Sequence, residues 1–412
     1  MKKRGYWIGL VLFCVIAVPV SGQQAGPVWC AEGERARGLR EVLMRALDSA
    51  GLDGLNKRDY LPDLLEWADS MVKSGKSANQ WPDWDRWYTE AGLAFGRDLY
   101  LGSGVRKRIS FDGISGQFDG RDGQDLAEGL AGVNTGADLQ EWLSMLIPVD
   151  RDYIIMRDSL AMFRVLGQSG RAGRLSSAMN MYRWVQHFRF ERMIVVNIPS
   201  ADLRYYAGDS LSLYMKVVAG QPSKRTPRFA TWCTGVVLYP YWNVPRKIAI
   251  RELLPLFKKT PDLLETMEME VVDNRGRKVD PSGIRWASYT VANFPYEIRQ
   301  TPGCFNALGV IKFNIVSPYD VYMHDTNLKK AFTSASRYFS HGCIRLERPI
   351  DLGRSLLENR LDTSYLLSCF RDQKPAPVAL GKPVPVFVVY QTVGVEPGGK
   401  LAWYKDVYQL GN

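Results

Sequence analysis

Hydrophobic positions along the chain change period once, near Phe190, and that change divides the molecule. From Glu34 to about Tyr100, apolar residues recur at spacings of three and four. They run through Leu39, Val42, Leu43 and Leu47, and again through Leu61, Leu64, Leu65 and Ala68, which predicts amphipathic helices. Gly51 and Gly54 separate the two runs. Residues 101–125 are rich in Gly, Asp and Ser and read as a long loop. Helical spacing returns from Asp138 to Leu166, through Leu139, Trp142, Leu143, Leu146, Leu160 and Phe163, and a short link is expected from there to Met193. Trp81, Trp84 and Trp87 form a helical stripe. Such a stripe can stack on sugar rings, but it more often belongs to a core, and we read it as core.

Beyond Phe190 the apolar runs become β-branched. Met193-Ile194-Val195-Val196-Asn197-Ile198-Pro199 predicts a strand. Leu203 to Tyr206, a turn at Gly208-Asp209-Ser210, and Leu211 to Val218 predict a hairpin. Further strands are predicted over Thr231 to Leu238, Ile311 to Val316 and Val321 to Met323. Leu253, Leu254, Phe257, Leu263 and Leu264 predict short helices between Lys247 and Thr266, inserted into the β region. A helix with the stripe Ile350, Leu352, Leu356 and Leu357 is predicted to start at Pro349, where a missing N–H costs no hydrogen bond. A last hairpin is read from Pro385 to Tyr390, a turn at Pro397-Gly398-Gly399, and Leu401 to Tyr408. The fold class is α+β: an α-helical N-terminal part, then a β-rich domain carrying a helical insertion.

The 412 residues are 46% hydrophobic and 23% charged, which excludes wholesale disorder and allows two or three domains. The 53 basic and 43 acidic residues leave +10, spread along the chain without a Lys/Arg block. That permits an anionic partner and gives no indication of nucleic acid. The N-terminus reads Lys2-Lys3-Arg4, an apolar run from Trp7 to Val20, then Ser21-Gly22. This is the order of a secretory signal, with cleavage expected near Gly22, and the apolar run is shorter than the roughly 20 residues of a membrane span. The mature chain is expected to be soluble and outside the cytoplasm, touching membrane only if the signal stays uncleaved. Without Cys14 five cysteines remain: Cys30, Cys233, Cys304, Cys343 and Cys369. In an oxidising compartment the odd one is a candidate reactive thiol, and the others pair in any of three ways or stay reduced. The run Asp119-Gly120-Arg121-Asp122-Gly123 lacks the alternating ligands and closing Glu of a calcium loop.

Of the histidines His187, His324 and His341, two share a short stretch with a cysteine. It runs from Tyr322-Met323-His324-Asp325-Thr326 to Ser340-His341-Gly342-Cys343-Ile344-Arg345. A free thiol with pKa about 8.5 is mostly protonated at neutral pH, and a neighbouring imidazole can take its proton to form a thiolate–imidazolium pair. Gly342 permits unusual backbone angles beside the thiol, adjacent N–H groups can face a developing oxyanion, and Arg345 suits a substrate carboxylate. Two other readings stand beside this one. A zinc site of His324, His341 and Cys343 lacks an evident fourth ligand. A buried structural cysteine with incidental histidines needs no chemistry at all.

The block Ser340-His341-Gly342-Cys343, ended by Ile344-Arg345 and preceded by His324, resembles the signature of the L,D-transpeptidase (YkuD-type) family. Other stretches resemble its large periplasmic, YcbB-like branch. These are Val195-Val196-Asn197-Ile198-Pro199, Pro240-Tyr241-Trp242-Asn243-Val244-Pro245, Asn306-Ala307-Leu308-Gly309 with Lys312-Phe313, and His324-Asp325-Thr326. The resemblance covers Met193 to the C-terminus and, more faintly, the helical half, which corresponds to that branch's scaffold. The peptidoglycan-binding module often found in the branch is not evident here. The implied organisation is a signal at 1–22, a scaffold at 27–185 and a catalytic domain at 190–412, with a capping subdomain at about 245–300.

The resemblance also implies roles. Cys343 is the nucleophile that acylates on the third residue of a peptidoglycan stem, diaminopimelate, and expels the terminal D-Ala. His324 is the base, oriented by the carbonyl of Asp325. The N–H groups of Gly342 and Cys343 hold the oxyanion. Ser340, His341, Arg345, Asn306 and Tyr322 are substrate-side residues, with Ser340 also supporting the loop. No cofactor or metal is implied. The implied partners are a donor tetrapeptide stem, an acceptor diaminopimelate amine and other cell-wall synthesis proteins, all in the periplasm, and carbapenems are implied acylating agents. An L,D-carboxypeptidase on the same site and a non-catalytic wall-binding scaffold are the alternatives.

Overall fold

The computed structural model describes residues 27–358, 360–369 and 373–411, and the expected signal at 1–22 lies outside them. The first half is helical: α1 (Glu34–Ser49), α2 (Pro62–Lys73), α3 (Trp81–Leu101), a two-residue strand β1 (Phe111–Asp112), α4 (Asp119–Ala131), α5 (Gly136–Met145), α6 (Arg151–Val165) and α7 (Ser169–Gln186). The periodic positions do what their spacing requires: Leu39, Leu43, Leu47, Leu65, Trp84, Tyr88, Phe95, Leu139 and Trp142 share one core. Trp84 is buried and Trp81 and Trp87 half-buried, so the tryptophan stripe packs inward. Thr135 and Asp138 close a capping box at α5, and Asp150 caps α6 by accepting from the Tyr153 N–H.

The structure departs from the sequence reading in this half at two places. The Gly/Asp-rich run from Asp119 opens helix α4 instead of extending the loop, because Asp119 and Asp122 in its first turn face the positive end of the helix dipole. The link after Leu166 is the 18-residue helix α7. It is buried around much of its circumference, so no single apolar stripe stands out, and two of its buried residues, Asn180 and Arg183, are polar. Arg183, fully buried, donates to the Asp53 carbonyl and to Asn180 Oδ1, each at 2.7 Å.

The β region contains β2 (Arg192–Asn197), β3 (Asp202–Ala207), β4 (Ser210–Gly220) and β5 (Phe229–Leu238). An insert follows: β6 (Trp242–Asn243), α8 (Arg246–Ile248), a π-helical stretch Ala249–Leu253, α9 (Leu254–Lys259), α10 (Leu263–Thr266), β7 (Met269–Val272), β8 (Lys278–Val279) and β9 (Glu297–Gln300). Then come β10 (Ile311–Ile315), β11 (Met323–His324), β12 (Tyr338–Ser340), β13 (Ile344–Leu346), α11 (Pro349–Leu356), α12 (Thr363–Leu367), β14 (Ala376–Val389), β15 (Val393–Val395) and β16 (Leu401–Trp403). The main sheet runs β1-β5-β10-β11-β13-β4-β3-β2-β14, and β14 also pairs with β5, so the sheet closes on itself. Ile194, Val196, Leu203, Val217, Phe313, Met323, Ile344, Val386 and Val388 fill its interior. The α+β architecture is therefore the one expected.

Two further expectations change. The insert is not purely helical. Its short helices pack on a four-stranded sheet, β6-β9-β7-β8, around Phe257, Trp286, Phe294 and Ile298. The C-terminal hairpin is β15–β16, while Pro385 to Val389 belongs to β14, a central strand whose second half is buried on both faces. A run buried on both faces loses its alternation and cannot be assigned a partner from sequence.

Helix α7 joins the halves. Trp184 and Phe188 pack with Phe387 and Val389 of the sheet, and Leu175 and Met179 pack with Val393 and Val395. Arg174 donates to Thr392 Oγ1 at 2.8 Å and to the Tyr404 carbonyl at 2.8 Å, with its guanidinium 4.8 Å from the Trp403 ring centre. Among the described residues no helix is long and apolar enough to cross a membrane.

Candidate active site

Strand register builds the site. His324 on β11 is the cross-strand partner of Lys312 on β10 and of Arg345 on β13. Side chains directly opposite share a face, so Lys312, His324 and Arg345 stand in one row across three strands. Continuing the β11–β13 pairing back one residue, past the Ile344 N–H bond to the Tyr322 carbonyl at 3.0 Å, sets Cys343 opposite Tyr322. By the period of two, Tyr322 and Cys343 lie on the same face as the row.

The loop before Cys343 is held from behind. Gly342 has φ +118°, a conformation that strains any residue with a Cβ. Its carbonyl accepts from Thr226 Oγ1 at 2.8 Å, and that hydroxyl takes the Gly220 N–H at 2.9 Å. Ser340 is buried, with its hydroxyl donating to the Cys343 carbonyl at 2.6 Å and accepting from the Gly342 N–H at 3.2 Å. Its polar capacity is thus turned into the loop rather than toward substrate. The Gly342 N–H is likewise already engaged, so of the expected oxyanion pair only the Cys343 N–H is free among the described residues.

His324 is buried, and its Nδ1 lies 2.5 Å from the Asp325 carbonyl. That bond places the ring proton on Nδ1 and leaves Nε2 as an acceptor. Burial first, then the Arg345 and Lys312 charges, push its pKa down to about 3, so the ring is neutral. Burial also raises the Cys343 thiol, against the opposing pull of Tyr322, Lys312 and Arg345. The sulfur faces the Asp320 carbonyl at 3.7 Å and the N–H and hydroxyl of Tyr322. It makes no hydrogen bond to His324. The expected thiolate–imidazolium pair thus has no hydrogen bond joining it in this structure, and burial works against both charged forms. Both groups are desolvated in their charged forms, and the register sets Tyr322, rather than His324, directly opposite the thiol.

The remaining sequence candidates divide. The Asp325 carboxylate is buried, accepts from the Val310 N–H at 3.0 Å and pairs with Lys329. Gly309, at φ +60°, sits so close that a Cβ would lie 2.2 Å from Asp325 Oδ2. Asn306 is fully buried and donates to the carbonyls of Pro240, Gln300 and Thr301 while accepting from the Leu308 N–H. It staples the base of the insert, its amide fully committed to backbone groups rather than turned outward, which corrects its expected substrate-side place. His341 is exposed, and its Nε2 lies 2.9 Å from Glu252 Oε1 in the insert's π-helical stretch. Glu252 also accepts from Lys224 at 2.9 Å, and these two partners hold its carboxyl below the usual range. π-Helical turns recur at functional sites, and this one aims Glu252 at the cysteine loop.

Sequence reasoning missed Glu252, Lys312 and Trp242, whose indole N–H bonds the Tyr322 hydroxyl. Lys312 and Trp242 lay in stretches that carried the family resemblance, and Lys312 was also a charge within an apolar strand; Glu252 carried no signal. No group of three or more His, Cys, Asp or Glu among the described residues is placed to hold a metal ion. The zinc reading thus finds no ligand set there. Cys304 and Cys369 form the disulfide, while Cys30 and Cys233 are free and buried, each thiol pushed up to about 12 chiefly by burial.

Residues 191–386 match the YkuD family, described as an L,D-transpeptidase catalytic domain, and residues 21–160 match a family described as a scaffold domain. A Haemophilus influenzae protein assigned to the L,D-transpeptidases is 35% identical over 232 residues, 56% of this chain and 47% of its own length. The chain thus spans about half the length of that relative. Solved L,D-transpeptidases from Mycobacterium smegmatis (15% identity, 48% of this chain and 58% of that one, TM-score 0.22) and Mycobacterium tuberculosis (15%, 48% and 61%, TM-score 0.20) overlap too weakly to carry an argument. The chain therefore carries a YkuD-family L,D-transpeptidase catalytic domain, preceded by a scaffold domain.

Proposed function

We propose that this protein is a peptidoglycan L,D-transpeptidase of the bacterial periplasm, forming 3→3 cross-links through a Cys343 thioester. The observation that carries the reading is the buried His324, its Nδ1 spent on the Asp325 carbonyl so that Nε2 is left as the acceptor, on the sheet face that holds Cys343 and Arg345. A donor stem enters with its terminal carboxylate on Arg345. The thiol turns from the Asp320 carbonyl toward Nε2, which takes its proton as sulfur attacks the carbonyl of diaminopimelate. The Cys343 N–H meets the oxyanion. The C–N bond then breaks, and D-Ala leaves with the proton from His324. An acceptor amine attacks the thioester, gives its proton through His324 to the departing sulfur, and becomes the new amide nitrogen.

The insert acts as a lid in this scheme. It reaches the cysteine loop through Glu252 and Tyr322 through Trp242, and a closed site favours amine over water. The test is digestion of purified peptidoglycan after incubation with the enzyme. New 3→3 dimers are expected, and Cys343→Ala should abolish them with folding retained. Tripeptide monomers without dimers would establish an L,D-carboxypeptidase instead, and unchanged wall would leave only a binding role.

A further inference from the structure

Two cations beside the nucleophile have no counter-ion. Lys312 is half-buried, its ammonium 4.5 Å from the centre of the Tyr322 ring. Arg345 is also half-buried, 6.0 Å from the centre of the Phe339 ring, and its Nε is buried with no partner. The acids around them are engaged or remote. Glu252 is held by His341 and Lys224, Asp325 by Lys329 and the Val310 N–H, and Asp320 is exposed on the loop before Tyr322. Neither cation makes an ion pair among the described residues. Aromatic faces recover only part of the desolvation cost of a buried cation. The sulfur is no lasting counter-charge: burial favours its neutral form at rest, and in a thioester it carries none. A site with two uncompensated positive charges through ground state and acyl-enzyme is complementary to a ligand that brings two negative ones.

The transpeptidase reading, on which this inference rests, supplies such a ligand. Its donor bears one carboxylate on the leaving residue and another at the end of the side chain of the residue that is acylated. We propose that Lys312 is a specificity-determining residue that binds this side-chain carboxylate, while the planar fork of Arg345 takes the terminal one. The enzyme then selects donors whose third residue carries a free carboxylate over donors in which it is amidated or missing, as in lysine.

The test compares Cys343 acylation, read as mass added to intact protein, for three tetrapeptide stems carrying free diaminopimelate, its side-chain amide, or lysine. The wild type should acylate at least about tenfold faster with the free carboxylate than with the amide. Lys312→Met should bring that ratio close to one, and Lys312→Arg should keep it. A lysine that only stabilised the thiolate or the fold would slow all three donors alike. An equal rate on free and amidated donors in the wild type, or an unchanged ratio in Lys312→Met, overturns the proposal. Calorimetric binding of the same peptides to Cys343→Ala separates the two claims. Discrimination in binding without any acylation sinks the transferase reading alone, and acylation without discrimination sinks the carboxylate reading alone.

Discussion

The protonation state of the resting thiol is the most exposed point of the mechanism. Even a thiol at its ordinary pKa of about 8.5 lies more than five pKa units above an imidazole at about 3. Moving the proton from Cys343 to His324 at rest is then uphill, on the order of several kcal/mol less the attraction of the pair formed. Burial of both groups acts in this direction, and Lys312 and Arg345 favour the thiolate while disfavouring the imidazolium. The expectation is a thiol that ionises alone. At pH 7 its thiolate fraction is about 3% or less, and between pH 5 and 8 its reactivity rises about tenfold per pH unit.

Alkylation by iodoacetamide, followed as mass on the intact protein across that range, reads this directly. Cys30 and Cys233 are buried and Cys304–Cys369 is bridged, so Cys343 is the reactive thiol of the described residues. A Cys343→Ser control subtracts any other contribution. A rate that stays on a plateau from pH 8 down to pH 5 would show a pre-formed ion pair and refute the argument. The general base would then have to be charged at rest, and the row Lys312–His324–Arg345 would not govern it.

Two further outcomes follow from the same geometry. Glu252→Gln removes the ion pair of the insert with Lys224 and alters its hydrogen bond with His341; a partly exposed pair of this kind contributes about 0.2–1 kcal/mol. Opening should become easier by up to about fivefold, and the ratio of hydrolysed to cross-linked product should rise accordingly. An unchanged product ratio would count against the insert as a lid. Acid should also destabilise the fold earlier than its carboxylates alone require. His324 and His187 are buried with pKa values lowered to about 3 and about 4, so between those values and the ordinary 6.5 the unfolded chain binds more protons. Their contribution is present above pH 6.5 and is lost as pH falls through 6 toward 4, on the order of a few kcal/mol in total. Urea midpoints at pH 7 and pH 4.5 measure it, and His187→Asn should reduce the difference; equal midpoints would mean the rings are solvated.

Local pattern was enough for the elements whose two faces differ. The stripe of α1, the β3–β4 hairpin with its Gly208-Asp209 turn, and the Pro349 start of α11 all follow from period and turn chemistry that act within a few residues. The Cys343, His324 and Gly342 chemistry was legible for a similar reason, since a thiol after a flexible residue and a nearby imidazole are local facts. Where the partner lies far along the chain, sequence is silent. α7 buries Arg183 against Asp53, 130 residues away, and so shows little amphipathic stripe. The second half of β14 is buried between β2 and β5 and has no alternation to read.

The site divides along the same line. The chain itself determined which groups could react. Tertiary pairing decided what state they are in: β10, β11 and β13 put Lys312 and Arg345 on either side of His324, and the surrounding burial leaves that ring neutral. Asn306 shows the converse, an amide that sequence could place near a ligand but that folding commits wholly to backbone carbonyls. Charge state and hydrogen-bond commitment depend on distance and solvent access, and those exist only once the strands have met.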